Sequence, residues 1–158
     1  MIRRAVPEDV SAITAMIYEL ADYQKARDEC TVTAEQMDDA LFGPRPSTFA
    51  HVAVSDDDRV VGIAVWFRNF STWDGTHGIY LEDLFVRPEL RGSGLGRALL
   101  NRLAGIAVER GFARVEWSVL DWNTPSIDFY RSLGAVPMDE WTTFRLTGPA
   151  LRTAAESG

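Results

Sequence analysis

The stretch Leu84–Ala98, LFVRPELRGSGLGRA, constrains this chain more than any other. An apolar run closes at Val86, Arg87-Pro88 interrupt it, and the glycine-rich segment Arg91-Gly92-Ser93-Gly94-Leu95-Gly96 leads into leucines at 95, 99 and 103. That order reads as a strand, a glycine loop and a helix start. The first N–H groups of a helix lack internal partners, and the macrodipole puts partial positive charge there. Glycines let that backbone approach a ligand closely. Arg91 and Arg97 flank the loop and suit phosphate oxygens, so the segment predicts a pyrophosphate site. Gly96 is followed by Arg97-Ala98 rather than Lys-Ser/Thr, which excludes a P-loop. The spacing G-x-G-x-G past mid-chain is a poor dinucleotide fingerprint. A glycine-rich helix start that binds nothing, or a site for another nucleotide, stays open on this loop alone.

The length of 158 residues and 46% hydrophobic content predict one domain with a real core, spanning 1–147, and a flexible tail over 148–158. A net charge of −7 argues against nucleic acid and mildly favours cationic small molecules. Cys30 is the lone cysteine, which rules out an internal disulfide or a multi-cysteine zinc site. His51 and His77 have no metal-ligand pattern around them, so no metal is expected. No targeting signal or membrane-length apolar run is visible, and a cytoplasmic protein is expected.

Periodicity predicts a short strand at 2–6, a helix from Pro7 to about Tyr23 and a polar loop over 24–32. A second helix over about 34–41 opens on the capping box Thr33–Gln36. Strands over 48–54 and 60–67 flank an aspartate-rich turn, and a third strand covers 79–86. After the glycine-loop helix come a strand over 114–120, a helix capped by Asn123 and ending near Leu133-Gly134, and a last strand over 141–146. The order β-α-α-β-β-β-α-β-α-β is a mixed α/β (α+β) sheet flanked by helices, largely antiparallel in its front half.

Three stretches together, YLEDLFV at 80–86, RGSGLG at 91–96 and WNTPSIDFY at 122–130, resemble the GNAT superfamily of N-acetyltransferases. The likeness runs from Ile2 to Leu146 and is nearest to the spermidine/spermine (diamine) acetyltransferase branch. It implies the GNAT-like acyl-CoA N-acyltransferase fold, acetyl-CoA as donor and a small-molecule amine as acceptor. It places the CoA pyrophosphate on Arg91, Gly92, Ser93, Gly94, Leu95, Gly96 and Arg97. The pantetheine arm would run along Leu84, Phe85 and Val86 as an added strand, with Asn123 and Ser126 beside it. Tyr23, Gln24, Glu82, Glu116, Trp117 and Ser118 fall at acceptor-side positions. The diamine branch carries a glutamate where this chain has Gln24, so one acceptor-site charge is missing. The resemblance also implies a homodimer with the 141–146 strand near its interface.

Amine acetylation fixes what the residues must do. An alkylammonium with a pKa near 10 must lose a proton before it attacks the thioester, and Glu82 is the candidate base. The departing thiolate needs an acid, and the resemblance puts Tyr130 there. Ser126 and Tyr130 share a helix face, being i and i+4. Tyr130 on its own would read as a core aromatic and Glu82 as a solvent-facing residue, but the motif around Tyr130 and the apolar residues bounding Glu82 favour the functional reading of each. An acetyltransferase for a diamine, polyamine or lysine-like amine leads. One for an aminoglycoside or a protein N-terminus is the same-class alternative, and a CoA-binding regulatory module without turnover is the different-class one.

Overall fold

The structure is a computed structural model that describes all residues, Met1–Gly158. Two compact units compose it, Met1–Ser118 and Val119–Gly158. In the first, β1 (Ile2–Arg4) leads through a 3-10 turn with Pro7 in its first turn into α1 (Val10–Tyr23). α2 (Ala34–Phe42) opens on the expected capping box: Thr33 Oγ1 accepts from the Gln36 N–H, and Gln36 Oε1 from the Thr33 N–H. Strands β2 (Phe49–Val54), β3 (Val60–Ser71) and β4 (Thr76–Val86) follow, then α3 (Leu95–Glu109) and a short β5 (Val115–Glu116).

The sheet runs β1-β2-β3-β4-β5, antiparallel throughout except for the parallel β4–β5 pair. Period-2 alternation sorts its side chains onto two faces. Ala50, Val52, Val54, Ile63, Val65 and Phe85 form one core with Ile13, Met16, Leu20, Met37 and Leu41 of α1 and α2. The intervening positions, Trp66 among them, belong to the other face, which α3 covers with buried Leu99, Leu103 and Ile106.

The hairpin strands β3 and β4 are longer than periodicity predicts, extending to Ser71 and back to Thr76, because cross-strand pairing continues past the apolar residues. The strand expected over 114–120 shrinks to Val115–Glu116. Its pairing stops at Ile79↔Val115 and Tyr80↔Glu116, directly before a bulge in β4, where the ladder is disrupted and the strand bends.

In the second unit, α4 (Thr124–Ser132) begins at the Asn123 cap, and α5 (Gly148–Glu156) occupies the segment expected to be a flexible tail. The strand expected over 141–146 does not form. A strand needs a ladder partner, and this segment has none, leaving Phe144 93% exposed. No helix in the chain is long and apolar enough to cross a membrane.

His51 of β2 is buried on the α3 side and its Nδ1 accepts a hydrogen bond from Trp66 Nε1 at 3.2 Å. Burial, and then the positive charges of Arg102, Arg4 and Arg110, push its pKa down to about 4. The unfolded chain, with an ordinary histidine near 6.5, therefore binds the extra proton between pH 6.5 and 4. Stability should fall as pH drops through that window, by about 3 kcal/mol in all. His51→Gln should lose that part of the pH dependence. Urea midpoints of parent and variant at pH 7.5 and 4.5 measure it, and equal slopes would refute it.

Candidate active site

The bulge is the feature that builds the site. Val65 pairs with Asp83 and Trp66 with Leu81, so Glu82 is the extra residue on β4. Regular alternation would send Glu82 and Asp83 to opposite faces. With one residue inserted, Leu81 stays opposite Trp66, Asp83 stays opposite the core residue Val65 on the α1 side, and both carboxylates line one open cleft of about 450 Å³. α1 supplies Ile17, Leu20, Ala21 and the following Gln24 to that cleft. The next segment supplies Ala26, Glu29, Cys30, Thr31 and Val32, and α2 contributes Gln36. Such a volume suits a small molecule.

The two carboxylates are not equivalent. Glu82 is exposed, whereas Asp83 is half-buried. Burial, and secondarily the negative charge of Glu82, push the Asp83 pKa up to about 6. A carboxylate there is an anion at neutral pH yet a stronger base than an ordinary aspartate, which suits it to accept a proton. Glu82 is among the residues that the sequence singles out, and Asp83 is not. Two adjacent carboxylates in an apolar strand were the available signal, but their sharing of one face depends on the bulge.

Beyond the bulge, β4 pairs with β3 as far as Val86, while on its other side it meets β5 only at Ile79 and Tyr80. Leu84, Phe85 and Val86 therefore have no strand on the β5 side, and that edge is able to accept an extended ligand through its backbone. The glycine loop follows. Gly92 and Gly94 have φ of 81° and 86°, left-handed backbone that L side chains rarely adopt, and a Cβ at either would meet nothing within 4 Å. Gly94 is the N-cap of α3 and no side chain caps the helix. Arg91 is held at the loop's entrance, its guanidinium over the rings of Tyr23 (4.7 Å) and Phe85 (5.5 Å) and its Nε donating to the Val86 carbonyl. Ser93 Oγ donates to the Leu90 carbonyl, Leu95 and Gly96 are half-buried, and Arg97 is exposed.

Not every expected acceptor residue reaches the cleft. Gln24 and Glu82 line it. Tyr23 serves instead as a platform for Arg91. Glu116 is paired with Arg114 Nε at 2.7 Å, which offsets its charge, and Ser118 Oγ shares a hydrogen bond with the Tyr80 hydroxyl at 3.0 Å. Trp117 is half-buried. In the second unit, Asn123 is buried and its Oδ1 accepts from the Ser126 N–H, so it acts as the helix cap. Ser126 and Tyr130 are half-buried one turn apart on α4, and the Tyr130 ring lies 5.5 Å from Phe129.

Residues 14–135 match the model of the Acetyltransferase (GNAT) family. The chain belongs to this family. The acetyltransferase is 36% identical to the thialysine N-epsilon-acetyltransferase of Bos taurus over 167 aligned positions, covering 98% of this chain and 96% of the relative. It is 30% identical to the L-ornithine N5-acetyltransferase of Arabidopsis thaliana, covering 96% and 86%. Among solved structures, an integron cassette protein from V. cholerae superposes with a TM-score of 0.81 at 26% identity, covering 99% of this chain and 97% of that one. An aminoglycoside acetyltransferase from a soil metagenome shares the fold, with a TM-score of 0.77 at 19% identity. The acetyltransferase is thus an acetyl-transferring enzyme of a family that uses acetyl-CoA as co-substrate.

Proposed function

We propose that the enzyme transfers the acetyl group of acetyl-CoA to a primary amine of a small molecule held in the cleft between α1 and the β4 bulge. The observation that carries this reading is the bulge itself, which turns Glu82 and Asp83 together into an amine-sized cleft beside an open strand edge. The relatives named for thialysine and L-ornithine support a flexible alkyl amine. In this reading the carboxylate pair attracts the ammonium and takes its proton. Leu84, Phe85 and Val86 offer backbone groups to the pantetheine arm, and an N–H among them polarises the acetyl carbonyl. The uncapped start of α3, with Gly92, Gly94 and Arg91, receives the pyrophosphate. The resemblance to the family assigns Tyr130 the protonation of the departing thiolate and Ser126 a contact with the pantetheine arm. Thiol release from acetyl-CoA, measured across alkyl diamines, amino acids with a side-chain amine, aminoglycosides and peptide N-termini, tests it. Turnover confined to the last two classes, or none at all, would overturn it.

The pyrophosphate assignment has its own test in Gly94→Val. A β-branched residue at φ 86° is strained, which should cost about 1–3 kcal/mol of stability. Its branches would also occupy the open space over the backbone, so CoA affinity measured by calorimetry should fall at least about tenfold, or 1.4 kcal/mol. Parental affinity in the folded variant would refute the assignment.

A further inference from the structure

The last turns of α1 face two different ligand sites. Ile17, Leu20, Ala21 and Gln24 line the acceptor cleft, whereas Glu19 and Tyr23, one turn apart, reach the segment that joins β4 to the glycine loop. Each of these two holds one arginine of that segment, Glu19 holding Arg87 and Tyr23 holding Arg91. We infer that Tyr23 is a positioning residue for the donor, whose ring presets the Arg91 guanidinium for the pyrophosphate of acetyl-CoA. Resting on the pyrophosphate site assigned above, this puts Tyr23 on the donor side and not at the acceptor position that the resemblance implies.

The two arginines are held by different chemistry. Arg87 Nη2 donates to Glu19 Oε1 at 3.2 Å with both side chains half-buried, so its charge is already matched by a carboxylate. Arg91 lies instead against ring faces, 4.7 Å from the centre of Tyr23 and 5.5 Å from that of Phe85. A ring attracts a cation through its quadrupole and carries no net charge. Arg91 therefore keeps its full positive charge for a ligand, which a neighbouring carboxylate would offset.

The same contacts fix its direction. Phe85 is buried in the core on the α1 side, and Arg91 Nε donates to the Val86 carbonyl at 3.3 Å. With Nε engaged and the rings against its faces, the outer N–H groups of the planar fork are left at the exposed entrance of the loop, next to Gly92. An arginine that binds an anion gives up rotamer freedom, and one already held gives up less. Tyr23 is the last residue of α1: the Gln24 N–H bonds back to the Leu20 carbonyl at 2.9 Å and Lys25 turns the chain away with φ 59°. The ring is thus carried on a hydrogen-bonded helical turn.

CoA affinity measured by calorimetry in a double-mutant cycle tests the assignment. Tyr23→Leu should weaken CoA by about fivefold or more, the scale of a partly desolvated cation–π contact, whereas Tyr23→Phe, which keeps the ring, should stay within about twofold of the parent. In an Arg91→Gln background the leucine substitution should change CoA affinity by less than about twofold, because the group it positions is gone. Tyr23→Gln, suited to an exposed helix end, takes the place of Tyr23→Leu in the cycle if the leucine variant does not fold. Kinetics give a second readout: Tyr23→Leu should raise KM for acetyl-CoA while KM for the best amine of the thiol-release panel stays within about twofold. Parental CoA affinity in Tyr23→Leu, an equal loss with and without Arg91, or a rise confined to the amine KM would overturn the inference and leave the pyrophosphate site standing. Parental CoA affinity in Arg91→Gln would instead remove Arg91 from that site, and this inference with it.

Discussion

Replacing Tyr130 with phenylalanine is expected to lower kcat by about 10²- to 10⁴-fold, the range for removing a general acid. That is roughly 2.7–5.5 kcal/mol of barrier. The substitution deletes one hydroxyl and keeps the half-buried ring that packs beside Phe129 on α4. If the hydroxyl protonates the thiolate as it departs, its interaction is made mainly in the transition state. The ground-state thioester sulfur is a weak acceptor, so acetyl-CoA affinity should change far less than kcat. A tyrosine that only packs predicts the reverse, with near-parental turnover and a small shift in Tm. Single-turnover rates measured beside CoA affinity separate the two, and an unchanged chemical rate would remove Tyr130 from the mechanism.

The second large effect is expected at the carboxylate pair. Asp83→Asn should reduce kcat/KM by about 10²-fold or more if Asp83 accepts the ammonium proton. Its pKa of about 6 predicts an acidic limb in the parent's kcat/KM profile near that pH, absent from the variant. Glu82→Gln makes a different signature. The negative charge of Glu82 helps raise Asp83, so removing it should move the limb to lower pH. The activity deficit of Glu82→Gln should also narrow as pH rises and more amine is already neutral.

Stability gives an independent readout with the opposite sign. A carboxyl group at about 6 when folded and near 3.8 when unfolded makes the fold less stable as pH rises through that window, because the unfolded chain gives up its proton first. Asp83→Asn should therefore gain on the order of 2–3 kcal/mol at neutral pH even as it loses activity. A variant that loses both would mark Asp83 as structural.

The parts of this design differ in how far sequence reveals them. The glycine loop was legible because its chemistry is local. The left-handed backbone at Gly92 and Gly94 and the uncapped start of α3 depend on residues adjacent in sequence. The same holds for the Thr33–Gln36 capping box, the Asn123 cap and the apolar face of α1, each set within one or two helical turns. Strand lengths were less legible. β3 and β4 extend as far as their partners allow, β5 ends where β4 bends, and the segment over 141–146 remains outside any ladder despite its aromatic and β-branched content.

The acceptor site belongs to the second category almost entirely. Glu116 and Ser118 are spent on Arg114 and Tyr80, Tyr23 supports Arg91, and Glu29 is drawn into the cleft from a loop that carries no motif. Sequence alone determined that this chain builds an alternating sheet and a glycine-opened helix, because hydrophobic periodicity, capping and glycine backbone freedom act between near neighbours; acetyl-CoA as donor was implied by the likeness of three motifs to the family. Only the tertiary structure decided that Glu82 and Asp83 share a face, since the register shift against Val65 and Trp66 arises from pairing with another strand. The raised Asp83 pKa follows from the same packing, because desolvation depends on what the fold places around the carboxyl group.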